Sequence, residues 1–359
     1  MALQTMNHSP HGKWSQPPAD QPTTDRQSIR SQCAAVAMAA LALAAGLVFT
    51  GLGTFWMHST TRGEASARFE RQVDRMQTDV QGRLNAPLIG LRGAAGVYAA
   101  SKSVQRAEFS VYVESSQLTR DFPGVRGFGF MVRVLRDELD RFVAAEQADG
   151  APNFSVTSPG NAPDLYVVKF IEPPAGNYAL GLDVGSDVVS REAIERAIAT
   201  GEPTLSRKVI LVQDQQRSPG FVYLLPVFRT GTDPATPAQR RAALVGLLFA
   251  PMVVGETMEG LSATAHKQVD FELFESTSAT AEQLIYDFDG HLASAQGAIE
   301  PTHYADRLFQ VTRAVEAGGR TLTLHASTTP SFEAEAASPL SALFGLGGVL
   351  ASLLLAFSI

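Results

Sequence analysis

The stretch CAAVAMAALALAAGLVFTGLGTFWM, Cys33–Met57, runs for 25 residues without a charge, and a second uncharged stretch, LSALFGLGGVLASLLLAFSI, covers Leu340–Ile359. An α-helix advances about 1.5 Å per residue, so roughly 20 apolar residues span the hydrocarbon core of a bilayer. Each stretch therefore predicts a transmembrane helix, and residues 58–338 become a body tethered at both ends. Such a build suits a receptor, whose soluble part can pull or twist the helices that hold it. Ala65-Ser66-Ala67 has the small-residue look of a signal cleavage site. It lies well beyond an apolar run already longer than the usual ~7–15-residue signal core, so the run reads as a retained anchor. Lys13, Arg26 and Arg30 precede the run and Arg62, Arg68, Arg71 and Arg75 follow it, so the positive-inside rule does not fix the orientation.

The net charge is −7 with both signs mixed along the chain, and no basic patch points to nucleic acid. Cys33 is the single cysteine, so no intrachain disulfide and no cysteine-held zinc or iron–sulfur centre is expected. There is no Gly-rich phosphate loop ending in Lys-Ser/Thr, no His-Glu-x-x-His and no Gly-x-Ser-x-Gly. The seven histidines are not paired at helical metal-ligand spacing, and Glu300, His303 and Asp306 read as a polar loop. Catalytic residues, metal ligands and cofactors are all expected to be absent.

Residues 1–32, rich in Pro, Gln, Ser and Thr, predict a disordered tail. Beyond the first apolar run, Phe69, Val73, Met76, Val80, Leu84, Leu88 and Leu91 recur every three or four residues with charges between them. That spacing predicts one apolar face of a helix leaving the membrane. The face can pack on its own domain or on a second stalk, and the spacing suits both. Pro87 is expected to kink or end it. A second helix is expected over Arg106–Leu118, with Phe109, Tyr112 and Val113 inward. From Phe128 the period changes to two, and strands are predicted at Phe128–Val132, Tyr166–Ile171, Phe221–Phe228, Ala243–Phe249, Val269–Phe274, Leu284–Phe288 and Thr321–Ala326. Helices are predicted at Leu135–Gln147, Ser190–Thr200, capped by Ser190 and closed by Gly201, and Met252–Ala263. Strands and helices without regular alternation argue an α+β fold. The Pro/Thr-rich stretch Thr230–Pro237 marks a junction between two subdomains.

Asp183 follows the apolar Ala179-Leu-Gly-Leu and precedes a helix. A carboxylate there can accept hydrogen bonds from a nitrogenous ligand, or hold loop amides and the helix start; base rates for loop aspartates favour the second role.

The run Asp183 … Arg191-Glu192 … Arg196-Ala197 … Thr200-Gly201 … Leu205-Ser206 … Phe221-Val-Tyr-Leu-Leu-Pro-Val-Phe228 resembles the core of the CHASE family, extracytoplasmic sensory domains of cyclases and histidine kinases that include the plant cytokinin receptors. Pro123–Arg133, Tyr166–Pro173 with Gly176-Asn177, and Gly319–Leu324 with Pro330-Ser-Phe332 resemble flanking pieces in the right order. The resemblance covers about residues 85–335. It implies a long stalk helix followed by two PAS-like subdomains, flanked here by two transmembrane helices, with a small molecule held in the membrane-distal subdomain. It also implies Asp183 as the residue bonding the base of a ligand, Leu205 as a source of main-chain contacts, Ser206 beside them, and Phe130, Val227 and Phe228 as pocket wall. Glu172-Pro-Pro-Ala-Gly-Asn177 follows the bacterial branch and departs from the plant receptors, so a cytokinin ligand is not implied.

The expected organisation is a tail at 1–32, a transmembrane helix at 33–57, stalk and packing helices at 58–120, a distal subdomain at 121–230, a proximal one at 231–338 and a second transmembrane helix at 339–359. The expected function is that of a non-enzymatic ligand sensor in the inner (plasma) membrane. Residues 58–338 would lie outside the cytoplasm, the chain would dimerise through stalk and membrane helices, and the output module (a cyclase or kinase) would lie outside this chain. A membrane-anchored extracytoplasmic enzyme and a purely structural dimerising module are the alternatives.

Overall fold

The apolar stripe forms one side of a single helix, α1 (Thr23–Ala100), in a computed structural model that describes residues 23–101, 103–174, 179–211, 218–261, 268–277, 279–337 and 339–358. The chain divides into two units: residues 1–62 with 338–359, and residues 63–337. α1 starts within the stretch expected to be a disordered tail; residues 1–22 of that tail, like Gly176 and Asn177, lie outside the described residues.

In the first unit, the apolar part of α1 lies beside the last helix, which is labelled α9 (Pro339–Phe357) below. Their approach is close because the facing residues are small. A Cβ on Gly46 would fall 2.4 Å from Ser352 Oγ, and one on Gly348 would fall 2.5 Å from Thr50. Small residues at such crossings let helix backbones come together where no hydrophobic effect drives them. Leu41, Phe49, Leu52, Phe55, Leu346 and Leu354 are left exposed. Among the described residues, α1 is the one helix long and apolar enough to cross a membrane, whereas the apolar part of α9, Ala342–Phe357, is shorter.

The second unit is built on the remainder of α1. Phe69, Val73, Met76, Val80, Leu84 and Leu91 are all buried and Leu88 is partly so. The stripe is consumed by its own domain, and it is not a face kept for a partner stalk. Burying each such side chain contributes about 1.5–3 kcal/mol. Of the two outcomes expected at Pro87, it does not end the helix. The local cost of an interior proline is about 3 kcal/mol, and the burial of Leu84 and Leu91 on either side of it outweighs that.

The helices that follow are α2 (Arg106–Ser115), the single turn α3 (Leu118–Asp121), α4 (Leu139–Ala148), α5 (Val188–Thr200), α6 (Pro237–Ala243), the turn α7 (Val254–Thr257) and α8 (Pro330–Ala336). The strands are β1 (Phe128–Leu135), β2 (Asp164–Glu172), β3 (Thr204–Leu205), β4 (Val209–Ile210), β5 (Pro219–Phe228), β6 (Leu244–Val253), β7 (Val269–Phe274), β8 (Leu284–Asp287), β9 (Gln310–Ala317) and β10 (Arg320–Thr328). They form two antiparallel sheets, one in the order β2-β1-β6-β5-β3 with β4 also on β5, the other β8-β7-β10-β9.

Three expectations are corrected. Thr230–Pro237 is not a junction between sheets, because β6 pairs with both β5 and β1; the stretch is a loop of the first sheet that leads into α6 through a Thr236–Gln239 capping box. The helix expected over Met252–Ala263 yields at its start to strand pairing of Met252 with Phe221 and Val253 with Gly220; α7 follows, and residues 262–267 are outside those described. The cap of α5 is Asp187, whose carboxylate accepts from Ser190 N at 2.8 Å. Gly201 closes that helix at φ 76°, as expected of a residue without a Cβ.

The second sheet lies along the earlier part of the stalk. Phe69 stands 6.1 Å from Phe309 and 5.9 Å from Phe332 (ring centroids), and Gln77 Nε2 donates to Ala314 O at 2.6 Å. The first sheet meets the later part, where Tyr98 stacks on Phe130 at 4.3 Å. One face of the first sheet thus turns to the stalk. Met131, Tyr166, Val168, Leu224 and Phe249 on the other face pack with Ala193, Ile194, Ala197 and Ile198 of α5.

Candidate functional site

Between that outer face and α5 lies a cavity of about 480 Å³, within the ordinary size range for small-molecule sites. Its floor is Met131, Val168, Val222, Leu224 and Phe249, and Ile194 and Val189 of α5 form one wall. Ser206, Lys208, Val209, Ile210 and Leu211 form the opposite wall. Alternation along the strands sets this lining: Val222 and Leu224 face the cavity, whereas Phe221 and Tyr223 point into the stalk-side core.

Asp183 and Ser206 both border the cavity. The Asp183 carboxylate is buried, and protein donors fill it. Oδ1 accepts from Tyr166 N at 2.9 Å and Gly185 N at 3.1 Å, and Oδ2 accepts from the hydroxyls of Ser186 at 2.6 Å and Ser158 at 2.8 Å. A carboxylate offers about four acceptor positions, so its capacity is used in holding the loop against β2. Ser206 Oγ donates to Arg207 O at 2.8 Å and accepts from Val222 N at 2.9 Å. The described lining is therefore chiefly apolar, with Asp187, Ser190 and Lys208 supplying polar groups. It suits an amphipathic molecule with an apolar body.

The wall at Ser206–Leu211 is tied to the second sheet. Lys208 N donates to Glu275 Oε1 at 3.0 Å, and Lys208 Nζ donates to the carbonyls of Glu282 and Leu284. Glu275 also accepts from Arg320 at 3.1 Å. One short segment thus touches both the cavity and the neighbouring sheet.

A family model for the CHASE domain matches residues 102–286, which is 185 of the 359 residues and so more than half of the chain. The chain belongs to the CHASE domain family. A search of curated proteins finds no match. Three solved structures similar to it can be compared. The ligand-binding domain of the Pseudomonas aeruginosa PAO1 amino-acid chemoreceptor PctC in complex with GABA has 12% identity and a TM-score of 0.41, with 75% of this chain and 99% of that one covered. The periplasmic sensory domain of the Campylobacter jejuni chemoreceptor Tlp1 has 8% identity and a TM-score of 0.45, with coverage of 76% and 96%. A methyl-accepting chemotaxis protein X has 12% identity and a TM-score of 0.37, with coverage of 76% and 98%. Likeness at this level carries no argument about ligand or mechanism.

Within the CHASE region the six residues expected at the site do not share one cavity: Asp183 and Ser206 border the cavity under α5, and the other four do not. Leu205 is buried on the stalk side, its N–H donating to Gly318 O at 2.9 Å and its carbonyl accepting from Arg196 at 2.7 Å, so neither group faces a ligand. Phe130, Val227 and Phe228 line a different cavity of about 520 Å³, on the stalk side with Tyr98 and Phe170. A shift of one position along a strand moves a side chain to the opposite face. Val222, Leu224 and Phe249 escaped the sequence reading, although the alternation that contains Phe221 and Tyr223 holds their parity.

Behind the cavity, Asp164 braces the Asp183 loop. Its carboxylate accepts from Arg133 at 2.7 Å and Arg191 at 3.1 Å, and Arg191 Nε donates to Gly185 O at 2.6 Å. Burial pushes the Asp164 carboxyl up, but the bonds and charges of the two guanidiniums outweigh it and hold the group below the usual range. A depressed folded pKa gives stability that is fully present above the unfolded value of about 3.9 and is lost as pH falls through the folded one. Urea unfolding of wild type and Asp164→Asn is therefore expected to differ most near neutral pH and to converge below about pH 4. A constant difference across that range would contradict the assignment.

Proposed function

We propose that this CHASE chain is the extracytoplasmic ligand-sensing region of a transmembrane signalling receptor. A small amphipathic molecule enters the cavity under α5, in a PAS-like distal subdomain formed by the first sheet. The second sheet serves as its PAS-like, membrane-proximal companion. α1 and α9 cross the inner (plasma) membrane, residues 58–338 lie outside the cytoplasm, and the signal passes to a cytoplasmic output module. Two copies pair through the membrane helices, since the stalk's apolar stripe is occupied within the chain. The chain itself is not an enzyme.

The observation that carries this reading is the shared wall. Occupancy of the cavity bears on Ser206–Leu211, and through Lys208 and Glu275 the same segment is bonded to the second sheet. A ligand shifts such an equilibrium only by its differential affinity for two arrangements, typically about 1–3 kcal/mol.

The test is a thermal-shift screen of the full chain in detergent against purines, amino acids and organic acids, repeated with Val222→Trp. A compound at about 100 times its Kd stabilises by about 2.7 kcal/mol, a rise of roughly 5–10 °C. The rise is expected in wild type and lost in Val222→Trp, where an indole fills the floor. A panel without any shift, or a shift the variant retains, would overturn the proposal.

A further inference from the structure

The second sheet holds a cluster of ionisable groups that ligand sensing does not use. Asp270 and Glu272 alternate along β7, so both project to one face of the sheet, and both are completely buried. The end of β8 and the turn after it lay Asp287, Asp289 and His291 over them. His291 Nδ1 is 2.6 Å from Asp289 Oδ1, 3.6 Å from Asp270 Oδ2, 3.8 Å from Glu272 Oε1 and 3.8 Å from Asp287 Oδ1.

Four carboxylates thus meet one guanidinium, Arg307, and two imidazoles, His291 and His325. Arg307 takes Asp289 at 2.6 Å and reaches Asp270 at 3.4 Å, and Tyr304 and His325 both meet Glu272 Oε2 at 3.1 Å. This leaves Asp270 Oδ1, Glu272 Oε1 and His291 Nε2 buried without a hydrogen-bond partner. Buried polar atoms are nearly always paired, so the unpartnered Glu272 Oε1, on a fully buried side chain, marks a position that a ligand can fill. Glu272 Oε1 is turned toward the imidazole, into the middle of the group.

We propose that Asp270, Glu272 and His291, with Asp289 at the rim, bind a divalent transition-series cation, Zn²⁺ or Mn²⁺. Imidazole suits such metals, and carboxylates complete the set. One ligand atom from each of Asp270, Glu272 and His291 can be chosen so that all lie within 4.8 Å of one another. Two ligands about 2.1 Å from a shared ion sit at most about 4.2 Å apart, so a small side-chain rotation closes the site. Asp270, Glu272, Asp287 and Asp289 all approach one imidazole here, a crowding of carboxylates that a cation relieves. A bound ion would pin the 287–292 turn to β7, in the sheet that grips the stalk.

The experiment is equilibrium dialysis of the chelator-treated full chain in detergent against Zn²⁺ and, separately, Mn²⁺, with bound metal counted by elemental analysis. One ion per chain is expected. Ca²⁺ and Mg²⁺, which favour all-oxygen sets, should bind more weakly. Glu272→Gln should weaken uptake more than about 100-fold, beyond what outer-shell changes cause. Asp306→Asn, altering an exposed neighbouring acid, should leave it unchanged. If Glu272→Gln fails to fold, Asp289→Asn on the more exposed rim should weaken uptake at least about 10-fold. No saturable uptake by wild type, stronger uptake of Ca²⁺, or uptake indifferent to both Glu272→Gln and Asp289→Asn would overturn the proposal.

Discussion

Asp183→Ala is expected to destabilise the second unit by about 2–6 kcal/mol, because the amides of Tyr166 and Gly185 lose their buried acceptor and each such loss costs about 1–3 kcal/mol. For a body of this size, roughly 2–4 °C accompany each kcal/mol, so the melting temperature should fall by about 10 °C. The hydroxyls of Ser158 and Ser186 can turn to other acceptors and add less. Sequence reasoning allows a second outcome, in which the carboxylate anchors the ligand and the variant melts as wild type but binds nothing. The four bonds already made to the group point to the first outcome. Melting curves of the variant with and without a stabilising compound separate them, and an unchanged melt with abolished compound response would reinstate Asp183 as a direct contact.

Phe69→Ala should cost about 3–5 kcal/mol, as large-to-small changes at fully buried aromatic sites do. The ring lies among Phe309 and Phe332, so the loss falls where the stalk meets the second sheet. Hydrogen exchange is expected to accelerate in α8, β9 and β10 while β1 and β6 keep their protection. Equal loss in both sheets would mean that the stalk and its two sheets open as one cooperative unit.

The stalk was legible because its stripe needs only a period and a length. The longer strands were legible for a similar reason, since β2, β5, β7 and β10 are apolar runs or alternations bounded by turn residues. β9 was not, because Arg313 stands in its series with Val311 and Val315; its charge goes to Asp74 of α1 at 3.0 Å. No local signal announces a partner more than 200 positions away. Thr230–Pro237 misled for the converse reason: turn chemistry shows where a chain bends, and says nothing of which strand comes next. At the site, composition located the Asp183 loop, but the face of each strand depended on register. Asp270 and Glu272 escaped notice because their meeting with His291 depends on how the turn after β8 folds back over β7.

β6 enters the chain after both of the strands it separates. Until Leu244–Val253 has been synthesised, β1 and β5 have nothing between them, and each presents an open row of amide and carbonyl groups. A nascent chain that has emerged only as far as residue 230 is therefore two unfinished ribbons, exposed to pairing with neighbours.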